Sequence, residues 1–473
     1  MPRWSPDGAR LAFVRLPGVQ AKLPLIPMRP MPWSIWVSDA NGARAIWHSR
    51  KDQSGSFPEW AADRCFHFAA ADRIVFASEH DGQNHLYAVA AGGGAETPLT
   101  PGDGDVEEAI LSTDRQAVIY TSNVATSDRE DIDRRHLWRV AVEGGPPQQL
   151  TAGATLEWSP CAIGDALVCI GSTATSPAMP YLIRTSGREP IAAQAMPSDF
   201  PAAELIVPTG VAFQSADGLT VHGQLFQPRT STGAAPALVF THGGPPRQML
   251  LGFHYMDYYH HAYAMNQYLA SRGYVVLSVN YRLGIMYGRQ FRQPEHAGWR
   301  GSAEYQDVLA GARYLATLPA VDAKRIGLWG GSYGGLLTAL GLARNSDVFA
   351  AGADFHGVHD WSAFLPRWEN DPMAAPDAKQ ALELAFASSP NASIDHWRSP
   401  VLLVQGDDDR NVPASQTVNL IQLLREHHVA FESIFLPDEI HDFLLFRTWL
   451  TTYAATADFF DRVLKRGEAV RSE

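Results

Sequence analysis

From about residue 210 the chain alternates between short apolar runs that end in turns and longer stretches of helical character. That alternation leaves few choices of fold. Val211–Gln214 and Thr220–Phe226 read as paired strands around the turn Ser215–Gly218. Ala237–Thr241, Gly273–Val279, Arg325–Trp329, Ala350–Asp354 and Val401–Gln405 follow, separated by helix-like Met265–Ser271, Ser302–Leu318, Gly335–Arg344 and Ser415–His427. Strands covered on both faces read as continuous apolar runs, and parallel neighbours need crossover helices. The pattern predicts a mostly parallel sheet with helices on both faces. In such sheets the chemistry lies just beyond the C-terminal strand ends.

The first 205 or so residues follow another rule. Trp4–Gly8, reading WSPDG, is a turn leading into an alternating strand, and weaker echoes begin at Glu59-Trp60, at Leu111–Asp114 and at Trp158–Pro160. Between them lie second echoes, Ser34–Val37, His85–Val89 and His136–Val140, each followed by a small or glycine-rich turn. Two of these then run into Leu-Thr, at Leu99-Thr100 and Leu150-Thr151. Short strands repeating every 40–50 residues or so are the mark of propeller blades. About four blades fit before residue 205. WSPDG normally follows a blade's first strand, and only three residues precede it, so the expectation is an incomplete β-propeller that begins inside a blade.

A length of 473 residues suits two domains, with boundaries expected at 1–205 and 206–473. The formal net charge of -12 argues against nucleic acid as a partner, because phosphate binding needs a basic surface. No apolar run is long enough for a membrane helix, and Met1–Gly8 does not read as a signal peptide. The chain as it stands reads as cytoplasmic, with export left open by its abrupt start. Cys65, Cys161 and Cys169 lack metal-site spacing and read as small core residues, with a Cys161–Cys169 bridge as the alternative.

The chemistry centres on Gly327–Leu337, GLWGGSYGGLL. Ser332 stands in Gly-x-Ser-x-Gly between an apolar strand and a helix, the context of a nucleophile elbow. A serine nucleophile needs a base and an orienting acid, expected later in the chain as Asp or Glu and then His. Val401–Pro413 is an apolar strand ending in Asp407, Asp408 and Asp409, any of which could orient an imidazole. The stretch Phe431–His441 reads as another strand followed by the loop histidine His441, whereas His427 and His428 read as surface residues of a helix. Acyl transfer also needs oxyanion donors, each worth about 3–4 kcal/mol. Phe240–Pro246 lies at the end of an early strand and carries Gly243 and Gly244, and the N–H of Tyr333 directly follows the serine. The expected oxyanion donors are therefore Gly243 or Gly244 and Tyr333.

Taken together, HGGP at 242–245, NYR at 280–282, YGRQF at 287–291, GGSYGG at 330–335, GDDDRNVP at 406–413 and DEIHDF at 438–443 resemble the prolyl oligopeptidase family of serine peptidases. The resemblance implies an α/β-hydrolase fold preceded by an all-β propeller domain. It selects Asp409 among the three aspartates and supports Ser332 and His441 as its partners. It implies an apolar S1 pocket from Val358, Trp361, Phe364 and the Tyr333 ring, with Asn411 near the substrate backbone. Short peptides are the implied substrate, no metal or organic cofactor is implied, and dimers or larger assemblies are common in the family. The dipeptidyl peptidase branch uses paired propeller glutamates to hold the substrate amine. Glu107-Glu108 is the only such pair here and reads as surface charge. A carboxylesterase using the same triad and a non-catalytic binding protein on a hydrolase scaffold are the rival functions.

Overall fold

The computed structural model describes residues 1–18, 23–124, 132–230, 233–368 and 374–470. The chain forms two compact units that interleave in sequence. One gathers Met1–Gln20, Met28–Ala203 and Ile285–Arg292; the other gathers Ala21–Pro27, Glu204–Gly284 and Gln293–Glu473.

Within its described residues, the first unit holds four antiparallel sheets of four strands, each running in chain order. The first is β1 (Arg3–Trp4), β2 (Leu11–Arg15), β3 (Ser34–Asp39) and β4 (Gly42–His48). After the helical turn α1 (Glu59–Ala62) come β5 (His67–Phe68), β6 (Arg73–Ser78), β7 (His85–Ala90) and β8 (Thr97–Pro98). The third comprises β9 (Val106–Leu111), β10 (Ala117–Ser122), β11 (His136–Ala141) and β12 (Gln148–Gln149); the fourth comprises β13 (Leu156–Ile163), β14 (Ala166–Ser172), β15 (Met179–Arg184) and β16 (Gly187–Pro190).

The sequence echoes have a hydrogen-bonding cause. Ser5 Oγ donates to Asp7 Oδ1 at 2.6 Å and accepts the Arg10 N–H at 2.9 Å. Ser112 Oγ repeats this with Asp114 at 2.6 Å and the Ala117 N–H at 2.9 Å. Each Ser-x-Asp turn thus satisfies its own backbone between a blade's first two strands. The Leu-Thr pairs serve the third strands. The hydroxyls of Thr100 and Thr151 accept the N–H groups of Leu86 and Leu137, both at 2.9 Å.

Two echoes do not hold. Glu59-Trp60 opens α1 rather than a turn, and Trp158–Pro160 lies inside β13, where Ser159 (φ 49°) sits at a bulge against β14. All three cysteines are free; Cys65 and Cys169 are buried as expected, but Cys161 is exposed rather than a core residue. Glu107 and Glu108 are not surface charge. Glu107 is buried in β9 with Arg135 Nε at 2.6 Å, and half-buried Glu108 accepts the Ser159 N–H at 2.5 Å.

The second unit is built on an eight-stranded sheet ordered β17-β18-β20-β19-β21-β22-β23-β24. The strands are β17 (Thr209–Gln214), β18 (Thr220–Phe226), β19 (Ala235–Thr241), β20 (Val275–Asn280), β21 (Val321–Gly331), β22 (Ala351–Phe355), β23 (Val401–Gly406) and β24 (Phe431–Leu436). β17 pairs antiparallel with β18 and β18 with β20; the other pairs are parallel. The helices are α2 (Asp257–Ser271), the short α3 (Arg289–Arg292, which belongs to the first unit), α4 (Tyr305–Thr317), α5 (Tyr333–Arg344), α6 (Trp361–Trp368), α7 (Ala378–Ala387), α8 (Ser415–Glu426) and α9 (Phe446–Phe460).

Helices cover both faces because β21 alternates. A Cβ on Gly327 would meet Phe460 of α9, while the next side chain, Leu328, lies against Gly341 of α5. Parallel register brings Thr241, Gly330 and Asp354 level across β19, β21 and β22. The C-terminal ends of these strands therefore form one rim. Among the described residues no helix is long and apolar enough to cross a membrane.

Candidate active site

Ser332 sits where β21 turns into α5, with φ 60° and ψ -118°. That left-handed conformation costs an ordinary residue about 1–3 kcal/mol and must be held by its surroundings. They are tight. A Cβ on Gly330 or Gly334 would run into the Thr241 carbonyl, on Gly331 into the Tyr258 hydroxyl, and on Gly335 into the Asp354 carboxylate. Four glycines around one serine are thus a steric requirement of the elbow. The Ser332 N–H donates to Phe355 O at 2.9 Å and to His356 Nδ1 at 3.1 Å.

Asp409 and His441 meet beyond β23 and β24. His441 Nδ1 lies 2.6 Å from Asp409 Oδ2. Asp409 Oδ1 accepts the N–H groups of Asn411 and Val412, both at 2.9 Å, so the carboxylate can turn only one oxygen to the imidazole. Asp407 instead accepts the Asp438 N–H at 2.7 Å, and Asp408 faces Arg410. The loop carrying His441 is pinned by buried Glu439. Its carboxylate accepts the Leu444 N–H at 2.6 Å and the Thr448 hydroxyl at 2.5 Å, at the N-terminus of α9 where negative charge is favoured. His427 and His428 fall just past the end of α8, half-buried and exposed.

The His-Gly-Gly loop follows β19. A Cβ on Gly243 would stand 3.1 Å from Ser332 Cβ, so only glycine lets this backbone approach the nucleophile. The Tyr259 hydroxyl lies beside this glycine, 3.2 Å from where a Cβ on Gly243 would stand, and burial lifts its pKa to about 12. His242 is buried, stacks on Tyr281 at 4.2 Å, and is held neutral by burial, its pKa pushed down to about 3. The NYR stretch anchors this loop. Asn280 Oδ1 accepts the Met249 N–H at 2.6 Å, Tyr281 donates to His242 O at 2.6 Å, and Arg282 pairs with buried Asp307 at 2.7 Å. Tyr333 opens α5, so its N–H has no intrahelical partner.

Val358, Trp361 and Phe364 are buried, 1–3% exposed. Trp361 lies 5.9 Å from the Tyr333 ring and 5.8 Å from Phe364, so these form one apolar wall beside the serine. The Tyr333 hydroxyl donates to buried Glu304 at 2.7 Å, and burial raises that carboxyl's pKa. Asn411 is exposed, with its backbone turned to Asp409.

Among the described residues, one grouping has metal-ligand chemistry. His356, Asp409 and His441 place nitrogen and oxygen atoms within 4.8 Å of one another. The 2.6 Å bond already commits two of the three to each other.

Sequence reasoning missed His356, Tyr259, Glu439 and Glu304. His356 follows β22 directly, so the rule that placed the other groups beyond strand ends could have found it. Tyr259 and Glu304 carry no local signal, since their part depends on burial and on partners distant in sequence.

Residues 260–467 match the prolyl oligopeptidase family, and residues 34–185 match the dipeptidyl peptidase IV N-terminal region. The chain is 26% identical over 251 residues to dipeptidyl aminopeptidase BIII of Pseudoxanthomonas mexicana, covering 49% of this chain and 35% of that protein. It is 24% identical over 432 residues to the mouse prolyl endopeptidase FAP, covering 86% of this chain and 54% of that one. The chain therefore spans about half or less of the length of these relatives. Among solved structures, a puromycin-hydrolyzing peptidase of Mycobacterium tuberculosis superposes with a TM-score of 0.80 at 22% identity, covering 100% of this chain and 70% of that one. With its sheet, elbow and propeller-type blades, the chain carries a prolyl oligopeptidase family region at residues 260–467 behind a dipeptidyl peptidase IV-type N-terminal region at residues 34–185.

Proposed function

We propose that this protein is a serine peptidase that hydrolyses short peptides through Ser332, His441 and Asp409. The observation that carries the reading is the 2.6 Å contact between His441 Nδ1 and an Asp409 carboxylate whose other oxygen is tied by two backbone N–H groups. An aspartate so fixed holds the imidazole proton on Nδ1 and leaves Nε2 free as a base. His441 takes the Ser332 proton as Oγ attacks the scissile carbonyl, then gives it to the leaving amine. Water, activated the same way, hydrolyses the acyl-enzyme. The Tyr333 N–H holds the developing oxyanion. The N–H of Gly243 or Gly244, on the loop that comes up against Ser332, is the second donor. No step needs a metal or organic cofactor.

The wall of Tyr333, Val358, Trp361 and Phe364 favours an apolar P1 residue, and in this reading Asn411, which is exposed, meets the substrate backbone. Glu107 and Glu108 are engaged with Arg135 and the Ser159 N–H, so the reading does not use them to hold a substrate amine. Turnover of aminoacyl- and N-acyl-peptide anilides, set against p-nitrophenyl esters, tests the proposal. Cleavage of anilides is expected; turnover of esters alone would refute the peptidase reading.

A further inference from the structure

His356 touches both the nucleophile elbow and the base. It follows β22 in a left-handed conformation (φ 41°) and is 1% exposed. Its Nδ1 lies 3.1 Å from the Ser332 nitrogen, and its ring centroid lies 4.3 Å from that of His441. Its Nε2 is 3.4 Å from the Tyr258 hydroxyl, and Phe443 packs at 5.5 Å. A backbone N–H can only donate, so Nδ1 is the acceptor and the ring proton sits on Nε2, toward Tyr258. Burial first, and the neighbouring His441 second, push the pKa of His356 well below the usual imidazole value. It therefore stays neutral when His441 takes up a proton.

We propose that His356 is a positioning residue: its Nδ1 lone pair fixes the backbone that aims Ser332, and its ring, tilted against that of His441, packs beside the base. The inference rests on the reading of Ser332 and His441 as nucleophile and base. His356 is not itself a base, because its acceptor nitrogen is taken by the Ser332 N–H. The same N–H also bonds Phe355 O at 2.9 Å, so losing His356 loosens the elbow without unmaking the fold. The cost then falls on kcat rather than KM.

The test compares His356→Asn, His356→Gln and His356→Leu by fluorophosphonate labelling rate and by kcat and KM on a peptide anilide. The Asn side chain can set an acceptor where Nδ1 stood, whereas the Gln amide reaches the Nε2 position and Leu offers no acceptor. Gln and Leu should lose about 10–100-fold in kcat and labelling rate with KM within about twofold, and Asn should stay within about fivefold of wild type. Gln as active as Asn, or wild-type rates in all three, would overturn the proposal. Should Leu fail to fold, the Asn–Gln contrast at matched thermal midpoints still decides. A wild type that is not labelled at Ser332 would sink the triad reading and the proposal together. A labelled wild type without the Asn–Gln contrast would sink the proposal alone.

Discussion

Replacing Asp409 by asparagine tests the site through a single atom. Asp409 Oδ1 accepts two backbone N–H groups, from Asn411 and Val412, both at 2.9 Å. In Asp409→Asn the amide oxygen must keep that position, since an NH2 group cannot accept them. The amide nitrogen then takes the place of Oδ2, 2.6 Å from His441 Nδ1, and donates to it. His441 is forced to carry its proton on Nε2, the nitrogen that must receive the Ser332 proton. The fold and the substrate contacts are left alone, because the exchange is isosteric. A wrong tautomer in such a triad costs about 10⁴-fold in kcat, or about 5.5 kcal/mol in the barrier. The assay is kcat and KM on a peptide anilide with unchanged circular dichroism and thermal midpoint. A loss of less than about tenfold at intact folding would refute the tautomer argument.

Other consequences follow from the packing. Gly331→Ala drives a methyl into the Tyr258 hydroxyl, so anilide turnover should fall by about 100-fold or more, with part of it restored in the double variant with Tyr258→Phe. Wild-type turnover in Gly331→Ala would contradict that collision. Asp307→Ala strands the buried Arg282 guanidinium, now 2.7 Å from Asp307, and should cost about 3–5 kcal/mol in urea denaturation. A cost below about 1 kcal/mol would mean that exposed Asp217 already suffices. His242 is neutral in the fold with its pKa near 3, while the unfolded imidazole titrates near 6.5. Its contribution is therefore whole above pH 6.5 or so and falls as pH drops toward the folded value, by about 2 kcal/mol at pH 5. His242→Phe should flatten the decline in denaturation midpoint between pH 7 and pH 5; an unchanged slope would show that other groups cause it.

Much of this architecture was legible because it is local or periodic. Thr220–Phe226 begins and ends as read, and Ser415–His427 differs from α8 by one residue, because apolar period and turn residues mark both. The Ser-x-Asp and Leu-Thr echoes were legible because each closes a hydrogen bond within one blade. Trp158–Pro160 misled because a bulge carries the same residues as a turn, and Glu59-Trp60 because a helical turn can stand where another blade has a strand. Helix α2 begins at Asp257, eight residues before the stretch read as helical. Its first turns are rich in tyrosine and histidine, which blur an apolar stripe.

The candidate site divides along the same line. Ser332 was legible from its motif and its place after an apolar strand, and His441 from its order and its place past a late strand, whereas Asp409 stood among three aspartates until the family resemblance selected it. His356 also follows a strand, but without a motif it looked like any loop histidine. Glu107 looked exposed because a charged pair in a strand usually is; Arg135, 2.6 Å away but 28 positions on, makes it a buried ion pair. Partners of that kind cannot be read from a local window.

The most direct test of the central claim is intact-mass and peptide-level mapping after fluorophosphonate treatment, run beside peptide anilide turnover. One adduct on Ser332, abolished together with turnover in Ser332→Ala, is the predicted result. A well-folded protein that takes no adduct, or one whose Ser332→Ala variant still cleaves the anilide, would contradict it.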